Sequence, residues 1–119
     1  MREESCFYVT DSTAASTEGH VYVLKLEGGK FYVGYSREVE TRIASHFLGL
    51  GAKFTQKYKP LEVVSVKPGD LLLENVTTIA LMAVHGWDEV RGGKYCRLAM
   101  QSPPASLAKA LKYVKQADS

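Results

Sequence analysis

Tyr22 and Tyr32 stand ten residues apart in the segment HVYVLKLEGGKFYVGYS, and Arg42 follows ten residues later. Two phenols and a guanidinium suit work on an oxyanion. A phenol both donates and accepts hydrogen bonds, and the arginine fork is planar and permanently charged. His46 lies one helical turn beyond Arg42. Glu74 interrupts the apolar run Leu71-Leu72-Leu73, where a charge is either exposed or functional. Each residue also has a plain structural reading. The tyrosines can be amphipathic sheet residues with wet hydroxyls, Arg42 an exposed helix arginine, His46 a cover for apolar surface, and Glu74 a charge favoured by the helix dipole.

The elements that must position these groups are readable. Val21, Val23, Phe31 and Val33 are strand formers on either side of Glu27-Gly28-Gly29-Lys30. The glycine pair allows the positive φ of a tight hairpin. Side chains alternate faces along a strand, so such a hairpin can bring both phenols to one surface. Ser36 can cap a helix with Glu38 and Glu40 near its positive end. In that helix Val39, Ile43 and Phe47 repeat at core-facing spacing, while Arg42 and His46 share another face. It should end near Gly49 or Gly51.

Phe54 to Lys59 reads as a loop, and Leu61 to Val66 as a strand closed by Pro68-Gly69-Asp70. Asp70 can cap a helix from Leu71 to Val84, with Gly86 as terminator and Ile79, Met82 and Ala83 in its buried stripe. Val90 to Leu98 holds a short loop or strand. Ser102-Pro103-Pro104 opens a last helix docked by Leu107, Leu111 and Val114, with Lys109, Lys112 and Lys115 outside. Residues 1–19 read as a polar lead-in with a short strand at Cys6-Phe7-Tyr8-Val9, and residues 20–119 as a single domain with a C-terminal helix. This order predicts an α+β fold: a small, mainly antiparallel three-stranded sheet flanked by helices.

Composition bounds the class. A chain of 119 residues with 24% charged residues fits one ordinary globular domain. No apolar run nears the roughly 20 residues of a membrane-spanning helix, and acids follow Arg2 where a secretory signal would be apolar. Two cysteines without metal-type spacing read as free thiols of a cytoplasmic protein and argue against a zinc site. Net charge is only +2, yet Lys53, Lys57, Lys59 and Lys67 crowd one stretch. That stretch is a plausible phosphate-facing patch and equally a solvated lysine-rich loop.

The residues resemble those of a GIY-YIG nuclease. The first family motif falls on His20-Val21-Tyr22 and the second on Tyr32-Val33-Gly34. The family arginine falls on Arg42, its histidine on His46 and its glutamate on Glu74. GLGAKFTQKYKP (49–60) and VRGGKYC (90–96) resemble segments of small phage and viral members. His20 stands where the first motif usually has Gly, Tyr35 where many members have Lys, and no residue matches a later polar position that is often Asn.

The resemblance implies a metal-dependent endonuclease that hydrolyses DNA. Tyr22 would be the candidate general base, and Tyr32 would orient the water or the phosphate. Arg42 and His46 would contact the phosphate, and Glu74 would anchor one Mg²⁺ or Mn²⁺ ion, which needs few protein ligands. Tyr35, Lys53, Thr55, Lys57, Lys59, Arg91 and Lys94 are candidate nucleic-acid contacts, against the alternatives of solvated loop, glycine turn and packing. A bare domain has little surface for reading bases, so a homodimer or a targeting partner protein would add specificity. If the gene is phage-borne or mobile, as in homing endonucleases, the site of action is the bacterial host cell. The competing expectation is a nucleic-acid-binding module on the same fold with little or no activity, and a third is a protein-interaction factor.

Overall fold

The structure is a computed structural model that describes residues 19–98, 100–109 and 111. The expected strand at Cys6-Phe7-Tyr8-Val9, and Lys112, Val114 and Lys115, lie outside the described residues. The hairpin forms as the sequence predicts. β1 (His20–Leu26) and β2 (Lys30–Ser36) pair antiparallel around a short turn, Glu27–Gly29, in which Gly28 and Gly29 both take φ of 75°. A side chain at either glycine would be strained.

β1 pairs on its other edge with β3 (Pro60–Pro68), antiparallel, with register shifts at Val23/Leu24 and Lys25/Leu26. A fourth strand, β4 (Val90–Gly92), pairs parallel with β2. The sheet is therefore four-stranded and mixed, in the order β3-β1-β2-β4, one strand more than expected. Three residues with two glycines nearby are too short to show an alternating pattern, so β4 is defined by its partner.

Alternation along the hairpin divides the chemistry from the main core. Val21, Val23 and Val33 face one side and pack with Met82, Val90 and Leu107. Tyr22, Leu24, Leu26 and Tyr32 face the other side and pack with Phe54. The first side is covered by α3 (Leu71–His85). Asp70 caps this helix by accepting from the Leu73 amide at 2.9 Å, and Gly86 ends it at φ 106°. Met82 is buried, and Ile79 and Ala83 are partly so, as the periodicity requires.

The second side is covered by α1 (Val39–Phe47) and α2 (Lys53–Lys57). Val39 and Ile43 pack inward as expected, but Phe47 at the helix end is 43% exposed. Ser36 does not cap α1 through its first-turn amides. Its hydroxyl accepts from the Glu38 amide in a local turn before the helix. The segment expected as a loop at 54–59 is largely α2, with Phe54 and Thr55 buried. Residues 105–109 are helical after Pro103-Pro104, with Leu107 buried and Leu111 exposed.

Candidate active site

Tyr22 of β1 pairs with Gly34 of β2, and Tyr32 lies diagonally across on the same face. Their ring centroids are 6.4 Å apart. The Tyr22 ring lies directly over Gly34, where an added Cβ would come within 2.3 Å of the phenolic oxygen. The glycine of the second motif is thus a close-approach glycine.

His46 reaches this face from the last turn of α1. Its Nε2 is 2.7 Å from the Tyr22 hydroxyl, and its ring lies 4.9 Å from that of Tyr32, centroid to centroid. Its Nδ1 is 2.9 Å from Thr55 Oγ1 of α2, and the Thr55 hydroxyl donates to the Ala52 carbonyl at 2.9 Å. His46, Tyr22 and Thr55 are at most 1% exposed, and Tyr32 is 8% exposed.

Arg42, one turn before His46, brings its guanidinium within electrostatic reach of the Tyr22 hydroxyl and favours its charged form. Glu74 arrives from the first turn of α3. It accepts from the backbone amides of Gly93 and Tyr35, so its carboxyl sits at the ends of β2 and β4, close enough for its charge to act on Tyr22. Tyr22, Tyr32 and His46 from β1, β2 and α1 are therefore in contact on one sheet face, with Arg42 and Glu74 within electrostatic range of the Tyr22 phenol.

Burial sets the electrostatics. It pushes the Tyr22 phenol well above its ordinary value of 10; Tyr32 adds to this and Arg42 opposes it. Burial, helped by the Arg42 charge, lowers His46 to about 3. Burial also raises Glu74 to about 7, against the pull of the two backbone amides. Desolvation disfavours the charged form in all three cases. In the resting site, Arg42 is the firm charge.

The wider set divides. Lys53, Lys57 and Lys59 are exposed, and Lys53 and Lys57 share the outer face of α2. Lys67 is exposed on β3. Lys94 is exposed next to Gly93, and its amide donates to Asn75 Oδ1 at 3.0 Å. Tyr35 is the penultimate residue of β2, on the α3 side, packed against the main core and facing away from Tyr22.

Two expected nucleic-acid contacts are corrected. Thr55 is buried beneath His46 and does not join the lysines at the surface. Arg91 is 1% exposed. Its guanidinium donates to the carbonyls of Arg97, Trp87, Val90 and Leu98 and to the Asp88 carboxylate, and it stacks 5.2 Å from the Phe54 ring. With its donors used internally, it ties residues 87–98 to β4 and cannot meet a phosphate. Sequence reasoning passed over Asn75, next to Glu74, which anchors the Gly93-Lys94 turn. Adjacency to a candidate ligand was the available signal.

Among the described residues no group of three or more His, Cys, Asp and Glu gathers to hold a metal. Glu74 is the candidate carboxylate. Among the described residues no cation acts on its charge. A buried acid compensated only by two amides is a suitable first ligand for a hard cation that keeps most of its waters.

Comparison with known proteins fits this geometry. Residues 18–69 match the family described as the GIY-YIG catalytic domain. The expected GIY-YIG resemblance is thus borne out over the segment that carries both tyrosines, Arg42 and His46. The chain is similar to UPF0213 protein SSP2268 of Staphylococcus saprophyticus, 38% identical over 45 residues, covering 38% of this chain and 55% of that protein. It is similar to a UPF0213 protein of Halobacterium salinarum, 43% identical over 42 residues, covering 35% and 54%. A Xanthomonas campestris UPF0213 protein is 35% identical over 49 residues, covering 41% and 48%. The chain thus spans about half the length of the curated relatives it matches. No solved structure matches. No helix among the described residues is long and apolar enough to cross a membrane.

Proposed function

We propose that this protein is a metal-dependent endonuclease that hydrolyses DNA phosphodiester bonds. The observation that carries the reading is the contact of Tyr22, Tyr32 and His46 on one sheet face, with the charges of Arg42 and Glu74 acting on the Tyr22 phenol. A phosphate would dock first at Arg42, whose fork matches two non-bridging oxygens. Tyr22 would then take the proton of the attacking water, with His46 at its hydroxyl, while Tyr32 orients the water. Glu74 would hold one Mg²⁺ or Mn²⁺ ion, which when bound polarises a phosphate oxygen and stabilises the leaving group. Lys53, Lys57, Lys59 and Lys94 would carry the flanking backbone as sequence-independent contacts.

One observation favours a second reading, a binding module with little activity. Tyr22 and His46 have almost no solvent access, so cutting requires side chains to move. The test is plasmid nicking with Mg²⁺ or Mn²⁺, with and without chelator, in the wild type, Tyr22→Phe and Glu74→Ala. Metal-dependent nicking lost in both variants supports the enzyme. Salt-sensitive binding without nicking supports the module, and neither activity removes both readings.

A further inference from the structure

The hydrogen bonds beneath Tyr22 have a direction. The Ala52 carbonyl has no proton to give and already accepts from the Gln56 amide at 3.0 Å. The Thr55 oxygen sits 2.9 Å from that carbonyl, and two oxygens at this distance attract only with a proton between them. The Thr55 hydroxyl has one proton, and it is spent there. Thr55 Oγ1 must therefore accept from His46, so Nδ1 carries the imidazole proton. A neutral imidazole protonated at Nδ1 has a bare Nε2. That Nε2 faces the Tyr22 hydroxyl at 2.7 Å and accepts from it. Arg42, close by, has donors only, so among the described residues His46 Nε2 is the acceptor that meets the Tyr22 proton.

We infer that Thr55 is a positioning residue that locks His46 in its Nδ1–H tautomer, making His46 Nε2 the acceptor of the Tyr22 proton. The catalytic consequence rests on the nuclease reading above. Water would give its proton to the Tyr22 oxygen as the phenolic proton passes to Nε2. The imidazolium so formed keeps its Nδ1–H on Thr55, and Tyr22 stays a neutral phenol at every stage. No free phenolate is needed; the cost moves to the imidazolium, which burial and Arg42 also disfavour until the anionic phosphate arrives.

The test is ¹⁵N NMR of the His46 imidazole in the full chain, free of metal and DNA, near pH 7. In the wild type the expected spectrum has Nδ1 as a protonated and Nε2 as an unprotonated nitrogen. Thr55→Ser keeps the hydroxyl and should keep this pattern. Thr55→Val removes the acceptor and should move the proton to Nε2 in a large fraction of molecules. Nicking should then fall at least ~10-fold in kcat, within the 10²–10⁴ that general bases supply, with KM little changed. Thr55→Ser should restore nicking to within about threefold of the wild type. A wild-type His46 protonated at Nε2 overturns the inference, and so does a Thr55→Val protein that folds and keeps the wild-type pattern. If no form nicks DNA, the nuclease reading falls while the spectrum still decides the tautomer.

Discussion

Glu74 should make the metal-free protein less stable as the solution becomes more basic, and removing its charge should stabilise the fold while abolishing function. Burial raises this acid from 4.5 to about 7. At ~1.36 kcal/mol per pKa unit, that displacement is about 3 kcal/mol favouring the protonated form in the folded state. The sign follows from proton counts. Below pH 4.5 the group is protonated whether folded or unfolded, and there is no penalty. Between 4.5 and 7 the folded state binds the extra proton, so stability falls as pH rises, and above 7 the full cost is present.

His46 works in the opposite sense. Its value is lowered from 6.5 to about 3, so stability falls as pH drops through that interval. The two slopes nearly cancel between pH 4.5 and 6.5 and leave a plateau. Glu74→Gln removes one of them. Its amide accepts less well from the two backbone N–H groups, a loss of ~1 kcal/mol. The variant should therefore exceed the wild type by about 1–2 kcal/mol at pH 8 in chelator, and by nothing or less at pH 4.5. Urea denaturation at the two pH values measures this directly. Millimolar Mg²⁺ should stabilise the wild type at pH 8 and leave Glu74→Gln unmoved. Parallel stability curves for the two proteins from pH 5 to 8 would refute the reasoning.

Other outcomes follow from the same structure. Gly34→Ala places a methyl within 2.3 Å of the Tyr22 phenol; it should break the Tyr22–His46 bond, cost ~1–3 kcal/mol in melts and remove nicking, and an active Gly34→Ala protein would dismiss the proposed placement of Tyr22. Arg91→Met should lose about 3 kcal/mol of stability, because four carbonyls lose a buried donor, yet leave the salt dependence of DNA binding by the folded fraction unchanged in fluorescence anisotropy. Lys53→Ala with Lys57→Ala should leave the melting temperature within about 2 °C and reduce the slope of log K against log salt by about 1–2.

Local rules carried the legible part of the fold. The hairpin is specified by two glycines with positive φ and by strand formers on both sides, and α3 by an aspartate before it and a glycine after it. These signals are short-range and chemical, so the chain alone states them. The shared face of Tyr22 and Tyr32 and the shared side of Arg42 and His46 were readable because side chains alternate along a strand and meet every four residues on a helix.

What escaped reading depends on tertiary context. α2 is five residues long with no side-chain cap, too short to display a period, and Phe54 holds it by packing under the sheet. Thr55 sits between two lysines in sequence and points the opposite way from them in space. Arg91 resembles a phosphate ligand until the carbonyls of residues 97 and 98 fold back onto its guanidinium. β4 exists because β2 offers it an edge.

The three-residue turn at Glu27–Gly29 acts as a phase lock between the two halves of the centre. Strand faces repeat every two residues, so one extra residue there would shift β2 by half a period. Tyr32 would swing beneath α3, and Phe31 or Val33 would take its place beside His46. The chain would keep its composition and its capacity to collapse, but the phenols would be on opposite sides of the sheet. Length variation in similar domains should therefore be borne by other loops, and this turn is a poor place to graft an insertion.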